Sequence, residues 1–264
     1  MASRLSLRFV ALAYLGAILV APVAVVAYKT FEPGLGAVFD SVTTPAAIHA
    51  FWLTVEVAAI AVPLNAIMGV LTAMALVRGK LPGRRFVEAL IDLPFAISPV
   101  VVGLALVLLY GREGWFGDEL ARAGVQVLFS FPGILLATIF VTLPFVVREV
   151  APVLREVGED QEQAAATLGA SRWQAFRLIT LPAIRWGLVY GIVLSTARAI
   201  GEFGAVSVVS GKISGETETL TLLVEKRFQN FDLAGAYAAS TLLALIALAT
   251  LGGMVLANRR KELS

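Results

Sequence analysis

Six long apolar stretches leave this 264-residue chain few ways to fold. They run at about 9–28, 51–77, 87–110, 129–147, 184–209 and 236–257. A helix that crosses a bilayer needs about 20 apolar residues at 1.5 Å each. Each stretch is long enough, and six in succession do not suit a soluble core. Composition agrees: 58% of residues are hydrophobic and 15% charged, against about a quarter charged in a soluble domain. An outer-membrane barrel would alternate polar and apolar residues instead. The expected fold is all-α and polytopic.

Basic residues set the expected orientation. Arg4 and Arg8 precede the first stretch. Arg78, Lys80, Arg84 and Arg85 lie between the second and third. Arg148, Arg155, Arg172, Arg177 and Arg185 lie between the fourth and fifth, and Arg259, Arg260 and Lys261 follow the sixth. The opposite loops hold fewer: Lys29, Arg112, Arg122, Lys212, Lys226 and Arg227. The positive-inside rule then puts both termini in the cytoplasm and assigns these residues to topology rather than to nucleic acid. The first stretch also reads as a signal peptide, with Val25-Val26-Ala27 as a weak cleavage pattern. Its length favours a retained helix, and the orientation is the same either way.

Chemistry is narrowed by absence. The chain has no cysteine and one histidine, His49. Disulfides, thiolate metal sites and histidine clusters are excluded. No HExxH run is present, which counts against an intramembrane metalloprotease. Prolines lie in or near most stretches (Pro63, Pro94, Pro99, Pro132 and Pro144) and imply bent, packed helices. Bent helices suit a gated path and also occur in static proteins.

The segment from 159 to 182, expected on the cytoplasmic side, is not a flexible linker. Asp160 and Gln163 have capping-box spacing, helix formers follow, and Gly169 suits a left-handed cap. Ser171 and Gln174 make a second capping-box pair, and Leu181-Pro182 is expected to end the second helix. Two short helices with a glycine elbow result. Leu168, Trp173 and Phe176 are apolar among charges. They suit either an interfacial helix on lipid or a docking knob for a partner.

Arg198 and Glu202 sit four residues apart, with Arg198 near the middle of the fifth stretch. A charge there is costly and faces protein or water. Either the pair orients the helix, or Arg198 helps an anion cross with Glu202 holding it. Glu88 and Asp92, preceded by Arg84, read as a helix-end charge cluster or as part of a gate. His49 suits a surface or capping role rather than a ligand. The outer segment 211–232 is rich in Gly, Ser, Thr and charge, and reads as a solvated loop or as a contact for a periplasmic binding protein.

The order Gln163-Ala164-Ala165, then Gly169, Ile179 and Leu181-Pro182 resembles the EAA loop of ABC-importer permeases. In that family the pattern is Glu-Ala-Ala-x3-Gly-x9-Ile-x-Leu-Pro. Gln163 stands where the family has Glu, and Glu162 lies just before it as the substitute for a charged contact. The run from Thr196 to Gly211, with Arg198, Gly201, Glu202, Ser207 and Ser210, resembles oxyanion importers of the sulfate, molybdate and tungstate group. Its continuation through Lys212 to Thr217, Asp92-Leu93-Pro94-Phe95 to Val101, and Phe131-Pro132-Gly133 to Glu149 resemble the W-type permeases of sulfate/thiosulfate importers. The likeness covers roughly 50–255.

The resemblance implies a six-helix, type I importer transmembrane domain in the bacterial inner membrane. It implies that Glu162, Gln163, Ala164, Ala165, Gly169, Trp173, Phe176, Ile179, Leu181 and Pro182 meet an ATP-binding subunit. Arg198, Gly201, Glu202, Ser207 and Ser210 are its candidates for the translocation path. Implied partners are a sister permease, two ATP-binding subunits, a periplasmic sulfate-binding protein, the solute itself (sulfate or thiosulfate) and membrane lipid. Glu56, within the second stretch, then faces the sister subunit or the outer interface. The chain has no phosphate loop, so no cofactor is expected on it. ATP and Mg belong to the partner, and this subunit is not itself an enzyme. Molybdate or tungstate import is the nearest alternative. A secondary anion transporter is a further one, though it needs no elbow.

Overall fold

A computed structural model describes residues 2–79 and 82–262. Lys80 lies outside the described residues, as do the side chains of Arg4, Arg259, Arg260 and Lys261. Every regular element among the described residues is helical.

The first helix, α1, covers 2–31, and a π turn at Gly16–Val20 interrupts it. α2 is Leu35–Val42. α3, Pro45–Arg78, is the central column. Thr44 caps it by accepting the Ala47 N–H at 3.2 Å, and Pro45 fits the first turn, where no N–H partner is needed. Its 34 residues make it about 51 Å long, well beyond a hydrocarbon core of roughly 30 Å.

The third stretch is not one straight span. α4 (Arg84–Ala96) and α5 (Pro99–Tyr110) meet at 111°. Ile97 and Ser98 are extended, because Pro99 disfavours helical backbone in the residue before it. Pro94 is accommodated inside α4, so Pro99 makes the corner. α6 is Gly117–Arg122.

α7, Phe131–Val157, runs ten residues past the expected end at 147. Arg148 and Arg155, read as loop residues, are therefore helical. After Gly158 come α8 (Asp160–Thr167) and α9 (Arg172–Ile200). Leu181-Pro182 does not end a helix. The π turn Phe176–Thr180 closes with the Leu181 N–H on the Phe176 carbonyl, and the helix continues through Pro182. Widening the turn ahead of a proline shifts the carbonyl that its ring would strike. The π turn before Pro22 in α1 does the same.

The fifth stretch breaks as well. α9 stops at Ile200, and α10 (Gly204–Val209) and α11 (Leu220–Gln229) follow as short helices. α12, Leu233–Glu262, is the last. Among the described residues, five helices are long and apolar enough to cross a membrane, or up to six if the bent pair counts as one.

α3, α7 and α9 form one buried core, and α3 and α7 form another with α5, α10 and α11. Val70, Ala73 and Leu76 of α3 pack on Val146, Val147, Val150 and Leu154 of α7 and on Ile184 of α9. A Cβ on Gly69 would lie 2.7 Å from the Val146 side chain, so only glycine lets α3 and α7 come this close. Asn65 is fully buried where they cross and donates to the Ile139 carbonyl (3.0 Å) and to Thr142 (2.7 Å). α1 stays at the edge. It reaches α12 through Thr30, which bonds to Thr241 at 2.7 Å and to the Tyr237 carbonyl at 3.0 Å.

Candidate functional site: an exposed elbow and a broken helix

The elbow follows from local chemistry. α8 begins at Asp160 behind Glu159, which makes no side-chain cap, so the expected Asp160–Gln163 box does not form. Gly169 takes φ +87°, the Ala170 N–H reaches the Ala165 carbonyl at 3.0 Å, and the Gly169 N–H reaches Ala166 at 3.0 Å. That is a Schellman end. Ser171 then starts α9 with a full capping box: its hydroxyl accepts the Gln174 N–H (3.2 Å), and the Gln174 side chain accepts the Ser171 N–H (2.7 Å).

Two of the elbow's apolar residues point outward. Leu168 is 89% exposed and Trp173 67%. Trp173 stacks on Phe176 with centroids 5.5 Å apart. Gln163, Ala164, Gly169 and Pro182 are exposed, whereas Ala165, Phe176, Ile179 and Leu181 are half-buried. Phe176 and Leu181 rest on the α3–α7 core and root the elbow in the bundle. Glu162 does not face outward with Gln163. It pairs with Arg78 at the end of α3 and accepts the Thr180 hydroxyl, so its carboxylate is spent within the chain.

At the other end of α9, Arg198 is in the last turn rather than mid-span. Its guanidinium is 2.7 Å from Glu202. Glu202 also accepts the Ala205 N–H at 2.9 Å, which caps α10, and its own carbonyl accepts the Thr221 hydroxyl at 2.8 Å. The void beside it, lined by Thr54, Thr138, Glu202 and Thr219 among others, measures about 10 Å³. An oxyanion does not fit there, so Glu202 is a buried brace and the half-exposed Arg198 is the accessible member. Gly201 is exposed. Ser207 donates to the Gly204 carbonyl at 2.8 Å. Ser210 is fully buried and accepts the Lys212 N–H at 3.1 Å. Its hydroxyl is engaged in a turn.

The segment 211–232 is not a solvated loop. It contains α11, whose Leu220, Leu222 and Leu223 are buried. Thr54 of α3 accepts the Leu220 N–H at 2.9 Å and so caps α11 from another helix. Glu218 is buried and bridges to Lys226 at 3.0 Å, and Lys212 bridges to Glu225 at 2.7 Å. Arg227 donates to the Ser41 and Gly235 carbonyls at 2.8 and 3.0 Å.

Glu88 and Asp92 meet partners that the sequence did not suggest. Arg155 reaches Glu88 at 2.9 Å and Arg148 reaches Asp92 at 2.8 Å, while Arg84 also bonds Glu88 at 3.2 Å. Arg148 lies over the Phe95 ring at 4.7 Å. These pairs clamp α4 to α7 around a cleft of about 290 Å³. Glu56 is exposed on α3. His49 is half-buried near the start of α3, and no metal-binding cluster occurs among the described residues. Thr54, Asn65, Arg78 and Thr180 were not singled out as site residues. Only Asn65, a polar break in an apolar run, carried a visible signal.

Comparison with known proteins places this geometry. The family described as binding-protein-dependent transport system inner membrane component matches residues 61–262. The chain is 50% identical over 234 residues to the sulfate transport system permease protein CysW of Escherichia coli K12, covering 89% of this chain and 80% of that protein. It is 50% identical over 242 residues to the chloroplastic sulfate permease 2 of Chlamydomonas reinhardtii, covering 92% of this chain and 66% of that longer protein. In three dimensions it resembles a bacterial ABC transporter involved in import of the acidic polysaccharide alginate, with a TM-score of 0.80 and 18% identity over 97% of this chain and 94% of the other. That likeness is one of fold.

Proposed function

This chain belongs to the binding-protein-dependent transport system inner membrane component family, and from that premise we propose that it is the W-type permease subunit of an ATP-driven sulfate importer. Half-identity to sulfate permeases across nearly the whole chain carries the substrate. The exposed, rooted elbow at Leu168 and Trp173 supports the energy source, because an anchored apolar knob ringed by polar residues is what a partner clasps. The subunit pairs with a sister permease, sits on two ATP-binding subunits that hold ATP and Mg, and receives sulfate from a periplasmic binding protein. Thiosulfate follows the same route. Both termini and the elbow face the cytoplasm. Glu56 faces the sister permease, since an exposed carboxylate on a spanning helix is costly in lipid.

The mechanism is alternating access. Closure of the ATP-binding pair moves the elbow, and α3, α7 and α9 tilt as a packed unit. Arg198, held from behind by Glu202, offers a positive charge to the passing dianion. The test is uptake of labelled sulfate into vesicles holding the reconstituted complex. Uptake that requires ATP and the binding protein, and survives collapse of the proton gradient, supports the reading. Uptake that ignores ATP and fails with the gradient overturns it. Competition by molybdate stronger than by thiosulfate would reassign the solute.

A further inference from the structure

We propose that Glu162 is a positioning residue, the joint through which movement of the elbow reaches α3 and α9; this rests on the importer reading above. Neighbouring residues on a helix point about 100° apart, so Glu162 and Gln163 serve different surfaces. Gln163 is exposed, on the side a partner meets. Glu162 turns inward, its side chain 21% exposed, against an Arg78 side chain that is 12% exposed.

One carboxylate ties three elements. It pairs with Arg78, the last residue of α3, and it accepts the hydroxyl of Thr180, which is 2% exposed in the π turn that leads into the long run of α9. Arg78 also donates to the Gly158 carbonyl at 3.1 Å, where the chain leaves α7. The helix ends reinforce the pair. Arg78 lies at the negative end of α3, and Glu162 lies in the first turn of α8, at its positive end.

α8 needs such a tie. It hangs between two glycines of positive φ, Gly158 at +66° and Gly169 at +87°. Among the described residues, Glu162 is the one side chain of α8 that bonds to α3 or α9. Without it, a push on α8 bends the two glycine turns. With it, the same push pulls the end of α3 and the root of α9 together.

The test reads two rates on one preparation of the full complex in vesicles: sulfate accumulated and ATP hydrolysed. Glu162→Gln is expected to leave binding-protein-stimulated hydrolysis running while sulfate moved per ATP falls about ten-fold, within the usual range of coupling between two sites. Arg78→Glu combined with Glu162→Arg is expected to recover a substantial part of that ratio. Thr180→Val removes one bond at nearly constant volume and is expected to lower the ratio in a complex that still assembles. A ratio unchanged in Thr180→Val and Glu162→Gln, or hydrolysis and uptake falling in step, overturns the joint. Should Glu162→Gln not assemble, the Thr180→Val ratio decides alone. ATP-independent uptake by the unaltered complex would instead overturn the importer reading.

Discussion

Glu202 holds Arg198 from behind: the acid is 1% exposed, the base 32%, and their charged atoms are 2.7 Å apart. The pair closes α9 and opens α10 at one point, because the same carboxylate caps Ala205. Arg198→Ala is expected to abolish sulfate uptake. It removes the outward charge and leaves Glu202 buried without a counterion, a loss of about 3–5 kcal/mol. Arg198→Lys keeps the charge and is expected to retain assembly and part of the uptake. Full activity in Arg198→Ala, measured with labelled sulfate, would remove Arg198 from both the brace and the path.

Trp173 tests the elbow's outer face. Being 67% exposed, it contributes little to the fold of the isolated subunit. Trp173→Glu is expected to leave the melting temperature in detergent within a few degrees and to abolish co-purification of the ATP-binding subunit. Gly169→Ala acts on shape instead: left-handed backbone costs an alanine roughly 1–2 kcal/mol, so capture weakens without disappearing. Retention of the ATP-binding subunit at wild-type level by Trp173→Glu would move the docking surface elsewhere.

Gly69 tests the packing of α3 on α7. Alanine favours a helix over glycine by about 1 kcal/mol, so local propensity alone makes Gly69→Ala stabilising. The 2.7 Å approach to the fully buried Val146 reverses the sign. Overpacking costs about 1–3 kcal/mol, and a lower melting temperature in detergent is expected. A higher one would mean that α3 and α7 separate freely.

Thr54 joins α3 to α11 by accepting the Leu220 N–H. Thr54→Val preserves shape and leaves that buried donor unpaired, at a cost of about 1–3 kcal/mol. Faster amide exchange at residues 220–223, with little change along α3, is the expected reading. Uniform exchange across both helices would show that the cap does not govern α11.

Much of the elbow was legible in the sequence, because its signals are local. Gly169 supplies the backbone region that a helix end requires, and Ser171 and Gln174 satisfy each other's backbone three residues apart. The breaks were less legible. Pro99 turns the chain by 111° whereas Pro94, Pro144 and Pro182 ride inside helices. Ahead of Pro182 the turn widens into a π turn and the helix runs on, whereas ahead of Pro99 both Ile97 and Ser98 leave the helix.

By its own order of residues, the chain determined an all-α membrane protein with long apolar spans and a two-helix elbow after the fourth. Hydrophobic run length and the elbow's own capping pair, Ser171 and Gln174, are set by neighbouring residues, so they are legible without a tertiary partner. Tertiary structure decided the charge pairs and caps that join residues far apart in sequence. Arg78 precedes Glu162 by 84 residues, Asp92 and Arg148 are 56 apart, and Thr54 caps a helix 166 residues on. A buried charge takes the partner that packing brings within reach, and that partner is set by how helices cross.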